Sequence, residues 1–265
     1  MSYYRPRYGF GGMLTPMVKS LLIINILVFL MEYITGGTEI IYFFGLVPRF
    51  IVQRFYIWQF FTYMFLHGGL WHLFLNMFIL WMFGSEIERY WGSRTFLKYY
   101  FITGVGAGLL GWLTAFNSVT PTIGASGAVY GILVAYGMMF PNRPVYLYFL
   151  LPIKAKHFVI FLVVMELMAS RGQASSGIAH FAHLGGMLFG YLYLKRERLV
   201  YLARNFFRGQ RSKRRAQNKW QEEQNRDMER KVDEILQKIS REGRESLTQE
   251  ENDLLEWARK RSKEH

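Results

Sequence analysis

The sequence predicts an all-α membrane protein: a bundle of six transmembrane helices followed by a short, charged, cytoplasmic helical tail. Three observations lead there. The chain has 265 residues, 51% of them apolar and 18% aromatic, with a formal net charge of +13. That charge is segregated, because residues 195–265 hold 20 of the 32 Lys and Arg and 14 of the 19 Asp and Glu. The preceding part is therefore nearly charge-free, and uncharged stretches of about 18 or more residues are the signature of helices crossing a hydrocarbon layer about 30 Å thick. Cysteine is absent, which excludes a disulfide scaffold, a thiolate metal site and a cysteine nucleophile.

Six apolar segments can be drawn, at about 17–35, 70–90, 99–116, 124–140, 157–170 and 178–194. They divide the chain into an N-terminal segment (1–16), a six-span domain (17–196) and a tail (197–265). The first segment follows Arg5 and Arg7, but it runs too long for a signal peptide and no small-residue cleavage motif follows it. It reads as a retained span. Arg89, Arg94 and Lys98 follow the second span, Arg143, Lys154 and Lys156 the fourth, and Lys195, Arg196 and Arg198 the last. The positive-inside rule puts these loops and both termini on the cytoplasmic side. The second, fourth and sixth spans then all start on the outer side, and residues early in each share a depth.

Between the first two spans, the stretch 36–69 holds Phe43, Phe44, Tyr56, Trp58 and Phe60 with few charges. It suits short helices lying in the membrane interface. The fifth span is short: only 14 residues separate Lys156 from Arg171, about 21 Å of helix. Small residues recur at helical spacing in Gly104 and Gly108, Gly127 and Gly131, and Ala182, Gly186 and Gly190, permitting close helix contact. Beyond the last span, the basic run Arg211 to Arg215 reads as attraction to anionic lipid rather than to nucleic acid. Val232, Ile235, Leu236 and Ile239, a break at Gly243, and Thr248 with Glu251 as a capping box before Leu254, Leu255 and Trp257 predict a helical hairpin.

Polar side chains inside membrane helices are expensive, so each one raises a functional question. His67, His72 and Asn76 lie at the outer end of the second span in "HGGLWHLFLN". His72 and Asn76 are four apart and share a helix face. Ser126 lies in "GASGAVYG", where Gly124 and Gly127 leave its hydroxyl and nearby N–H groups uncrowded, with Tyr130 one turn on. His180 and His183 lie early in the sixth span. Each group also has an ordinary reading, as an interhelical hydrogen bond, a serine bonded to its own backbone, or a histidine on a carbonyl. Together, at one depth, they make a serine, a base and two side-chain donors, which is the constellation for acyl transfer. The only acids before residue 195 are Glu32, Glu39, Glu86, Glu88 and Glu166, and the first aspartate is Asp227. With no Asp available, the expected catalytic unit is a Ser-His dyad.

At these residues the sequence resembles the rhomboid intramembrane serine proteases, over about residues 17 to 196 and through "HGGLWHLFLN", "GASGAVYG" and "AHLGGMLFG" in that order. The resemblance implies that Ser126 is the nucleophile and His183 its base, that His72 and Asn76 help bind the oxyanion, and that Tyr130 stacks on the histidine. It implies that Gly186 and Gly190 let the fourth and sixth helices pack closely, that His67 matches an outer histidine near the first loop, and that Glu88 and Gly92 fix the cytoplasmic end of the second span. The implied substrates are single-span membrane proteins cut in or near their transmembrane helices, at small residues with helix-weakening residues nearby, in a setting such as a bacterial inner membrane. No metal or cofactor is implied. Trp58-Gln59 departs from the Trp-Arg that many family members carry before the second span, which leaves the hydrogen bonding of that loop open. Because the family works by a dyad, Glu166 is expected to meet water or Arg171 at a helix end, with Glu166→Gln changing activity by no more than about tenfold, or about 1.4 kcal/mol. Three other classes compete. A non-catalytic family member would usually have lost the serine or histidine. A zinc protease would need HExxH, whereas His67 and His72 are five apart and on different faces. A transporter would leave the glycines around Ser126 unexplained.

Overall fold

The computed structural model describes residues 14–147, 151–170 and 174–262. Arg5, Arg7 and Arg171 lie outside the described residues, as do the side chains of the basic run 211–215. The chain forms two compact units, Met1–Arg196 and Glu197–His265.

In the first unit, α1 (Pro16–Thr35) opens on a proline, which suits a position whose N–H has no helical partner. Three short helices follow, α2 (Thr38–Phe44), α3 (Pro48–Arg54) and α4 (Gln59–Thr62), then a 3₁₀ turn Tyr63–Phe65. Next, α5 (Leu70–Ile79) continues through a π-helical turn, Leu80–Gly84, into α6 (Ser85–Trp91), so that Leu70–Trp91 acts as one rod. Glu88 on this rod caps α1: its carboxylate accepts from the N–H groups of Met17 and Val18, both at 2.9 Å, from Thr15 Oγ1, and from Ser93 Oγ at 2.5 Å. An anion at a helix N-terminus satisfies donors that the helix itself leaves open.

The remaining helices are α7 (Ser93–Thr114), α8 (Ser126–Met139), α9 (Ala155–Ala169) and α10 (Ala174–Glu242). Among the described residues, three helices are long and apolar enough to cross a membrane, α1, the rod Leu70–Trp91 and α7, and α8 is a shorter apolar helix. Helix α1, the rod, α8 and α9 start and stop within two residues of the apolar segments read from sequence, whereas α7 begins six residues earlier than expected and α10 continues to Glu242, far past the expected end near residue 194. One element was not expected: β1 (Pro144–Leu147) pairs antiparallel with β2 (Leu151–Lys154) between α8 and α9. Val145, Tyr146 and Ile153 favour strands, and the two prolines exclude helix there.

Helix α8 is buried on nearly all sides, as expected for a helix apolar all round. Its glycines explain how neighbours approach so near. A Cβ on Gly127 would stand 2.4 Å from Ala107 Cβ of α7, and one on Gly131 would stand 2.5 Å from Thr103 Cβ. From α10, a Cβ on Gly186 would lie 1.9 Å from the Gly127 carbonyl oxygen, and one on Gly190 would lie 2.5 Å from Tyr99 Oη. Tyr99 itself donates to the Gly131 carbonyl at 2.7 Å. Close contact of α8 with α7 and α10 thus depends on missing side chains.

In the second unit, α10 ends at Glu242, and Gly243 takes the left-handed φ of 83° that releases the chain into a 3₁₀ turn, Arg244–Ser246, and α11 (Gln249–Ser262). The Thr248 N–H donates to Glu251 Oε2 at 2.8 Å and the Glu251 N–H to Thr248 Oγ1 at 3.3 Å, a reciprocal capping box. Lys238 of α10 pairs with Glu251 at 3.0 Å, beside the buried Ile235.

Candidate active site

Ser126 is the first residue of α8, so the N–H groups of that first turn have no helical partner and are available to an oxyanion. The approach to it is pinned from the 36–69 segment. Leu46 and Thr122 exchange backbone hydrogen bonds at 2.9 and 2.8 Å, and the Gly124 N–H donates to the Tyr63 carbonyl at 2.9 Å. Gly124 has φ of +125°, which a side chain would strain, and a Cβ there would lie 2.8 Å from His72 Nε2 and 3.7 Å from Ser126 Oγ. The His72 imidazole therefore fills the space that glycine leaves, beside the serine.

His183 of α10 faces Ser126 across the Gly127–Gly186 contact, with Nε2 2.8 Å from Ser126 Oγ. Tyr130, one turn along α8, stacks on it with ring centroids 4.4 Å apart and planes at 16°. The structure corrects the sequence reading of Glu166. It is buried rather than solvated, with 7% of its surface exposed. One carboxylate oxygen lies 3.1 Å from His183 Nδ1 and accepts from the Tyr130 hydroxyl at 2.5 Å, and the other lies 2.6 Å from His180 Nδ1. Arg171, the partner expected from sequence, is outside the described residues.

Residues 54–196, more than half of the chain, match the family model described as Rhomboid domain. The chain belongs to the rhomboid family. Its relatives include "Rhomboid protein 1, mitochondrial" of Saccharomyces cerevisiae, 33% identical over 134 residues that cover 49% of this chain and 38% of that protein. "Rhomboid protease GluP" of Bacillus subtilis is 33% identical over 173 residues, covering 63% of this chain and 32% of that protein. "Rhomboid-like protein 11, chloroplastic" of Arabidopsis thaliana is 30% identical over 163 residues, covering 55% of each. This chain spans from about a third to just over half of the length of these relatives. Rhomboids are membrane-embedded, and the family is one of intramembrane proteases.

In this rhomboid the second-span residues divide. Asn76 is buried and its Nδ2 donates to the His72 carbonyl at 2.9 Å, so it is tied to His72 through the backbone. His67 is buried with its ring 5.1 Å from that of His72, and its N–H donates to Glu32 Oε2 at 3.1 Å. That bond ties the start of the rod to α1, a role for Glu32 that the sequence did not suggest. The departure at Gln59 also resolves: fully buried, its Oε1 accepts from the Val47 N–H at 2.9 Å and its Nε2 donates to the carbonyls of Tyr42 and Phe43 at 3.0 and 3.2 Å. A glutamine thus supplies both acceptor and donors to the loop.

Among the described residues, Glu166, His180 and His183 have donor atoms within 4.8 Å of one another, near enough to hold a metal ion. All three are already joined by the hydrogen bonds above, and one of them faces Ser126.

Proposed function

We propose that this rhomboid is a serine endopeptidase that hydrolyses peptide bonds in or near transmembrane helices of single-span membrane proteins. The observation that carries this is the 2.8 Å approach of His183 Nε2 to Ser126 Oγ at the first residue of a buried helix. The Ser126 hydroxyl attacks the scissile carbonyl as His183 takes its proton. The oxyanion is met by first-turn N–H groups of α8 and by the His72 imidazole, with Asn76 holding the backbone of that histidine and offering its amide. His183 then returns the proton to the leaving amine, and water repeats the cycle on the acyl-enzyme.

In this reading six spans cross the membrane, both termini are cytoplasmic, and the site opens to the outer side of a membrane such as a bacterial inner membrane. A 14-residue helix is about 21 Å long, shorter than the hydrocarbon layer, so its first residue lies inside the depth that longer neighbours cross. Irregular backbone such as 115–125 is tolerated at that depth where it lines a water-accessible cavity, and hydrolysis needs that water.

The test uses a fluorophosphonate probe on the purified protein in lipid. Labelling at Ser126 is expected, lost in Ser126→Ala and nearly lost in His183→Ala, because only an activated serine reacts readily. A folded protein that stays unlabelled across several probe sizes and cleaves no transmembrane substrate would overturn the assignment.

A further inference from the structure

Ser126 and His183 make a pair, with Oγ 2.8 Å from Nε2. We propose that Glu166 is a third member, a positioning residue whose carboxylate holds His183 in the tautomer and orientation that let it take the Ser126 proton. This rests on the protease reading above.

The geometry is a chain of contacts across three helices. Ser126 Oγ of α8 lies 2.8 Å from His183 Nε2 of α10, and His183 Nδ1 lies 3.1 Å from Glu166 Oε1 of α9. A neutral imidazole has one proton, and a carboxylate only accepts. Glu166 therefore places that proton on Nδ1 and leaves the Nε2 lone pair facing the serine. As Ser126 Oγ bonds to the carbonyl carbon, its proton passes to Nε2 and the carbonyl pair moves to oxygen. The imidazolium so formed lies against the carboxylate, which stays ionised throughout. Nε2–H then protonates the departing nitrogen as the C–N bond breaks.

Two further contacts fix the carboxylate itself. Tyr130 donates to Oε1 at 2.5 Å while lying flat on the His183 ring, and His180 meets Oε2 at 2.6 Å. A buried carboxylate is costly unless hydrogen-bonded, and two of the three partners of Glu166 here are the serine's base and the ring stacked upon that base. His180 and His183 are three apart on one helix, so a single carboxylate reaches both.

The experiment compares unsubstituted protein with Glu166→Gln, Glu166→Asp and His180→Ala in lipid, measuring probe labelling, turnover and Michaelis constant on a transmembrane substrate, and the ¹⁵N resonances of His183. The expected wild-type tautomer is Nδ1–H. Glu166→Gln should lower labelling and turnover by about 10² to 10⁴-fold, since removing the acid of a triad releases the wrong tautomer, with the Michaelis constant changed less than about threefold. Its ¹⁵N spectrum should show mixed tautomers. Glu166→Asp should recover to within about tenfold of wild type, and His180→Ala should keep the Nδ1–H signature. A folded Glu166→Gln that works within about tenfold of wild type with its tautomer unchanged leaves the dyad standing and overturns the proposal. If that variant does not fold, an Nε2–H tautomer in the wild type, or an Asp variant as inactive as Ser126→Ala, overturns it equally. An unlabelled wild type sinks the protease reading itself, whereas a labelled wild type with an indifferent Glu166 sinks only this inference.

Discussion

Tyr130 lies flat on His183 with ring centroids 4.4 Å apart, and its hydroxyl reaches past that ring to Glu166 at 2.5 Å. One side chain thus restrains both the face of the imidazole and the carboxylate at its far nitrogen. The two effects separate by substitution. Tyr130→Phe keeps the stack and drops the hydrogen bond, so turnover should fall by roughly tenfold, or about 1.4 kcal/mol. Tyr130→Ala loses both and should fall further, with a lower melting temperature in detergent. Equal rates in the phenylalanine variant and wild type would show that the hydroxyl does not order the acid.

The contact between Gly186 and Gly127 makes a prediction about folding and chemistry together. A Cβ at Gly186 would stand 1.9 Å from the Gly127 carbonyl oxygen, and backbone has no rotamer with which to yield. Gly186→Ala must push α10 from α8, at a cost of about 1–3 kcal/mol or more. That displacement also lengthens the Ser126–His183 approach. We expect a depressed melting temperature and at least tenfold slower probe labelling of the fraction that remains folded. A variant of wild-type stability and rate would mean that the two helices are not held as closely as described.

Much of this was legible in the sequence because membrane helices announce themselves by length and polarity. The apolar segments, the glycines of α8 and α10, and the meeting of Ser126 with His183 all follow from spacing on a topology. Glu166 was harder. Its position near the end of a short span fits solvation as well as it fits a hydrogen bond, and only tertiary packing shows that His180, His183 and Tyr130 surround it. The available signal was the presence of a lone acid in an apolar helix, which is rarely idle. Gln59 was illegible for a related reason: it satisfies backbone groups of a distant loop, and nothing local in sequence marks such a pairing. Glu32, like Glu166 a lone acid in an apolar helix, carried the same signal, but only packing shows that its partner is the His67 backbone N–H. The β-hairpin lay in a stretch with two prolines, where turn residues masked the strand formers.

Gln59 makes a stability prediction. Its side chain is fully buried and bonds Val47, Tyr42 and Phe43. Gln59→Ala leaves the Val47 N–H and the Tyr42 carbonyl without this partner, while the Phe43 carbonyl keeps the Trp58 indole N–H at 2.9 Å, and a buried orphan costs about 1–3 kcal/mol. The melting temperature should fall, and proteolysis of the folded protein should begin within 36–69. Gln59→Leu, close in volume, should fare no better, which separates lost hydrogen bonds from a lost volume. If leucine is neutral, the site needs bulk and not polarity.

The capping box of α11 makes a pH prediction. Hydrogen bonds from the Thr248 N–H and from Lys238 hold the Glu251 carboxyl below the usual carboxylate range. A carboxyl whose folded value is depressed adds stability that is fully present above its unfolded value and is lost as pH falls through the folded one. Helix α11 should therefore be equally protected from amide exchange, after correction for intrinsic rates, from neutral pH down to the usual carboxylate range, and should fray below it. Glu251→Gln should be less protected at neutral pH and should lose most of this acid-side dependence. Thr248→Ala removes the reciprocal bond to the Glu251 N–H and should fray the first turn at every pH. An acid profile that is identical in wild type and Glu251→Gln would assign the fraying to another group in the tail.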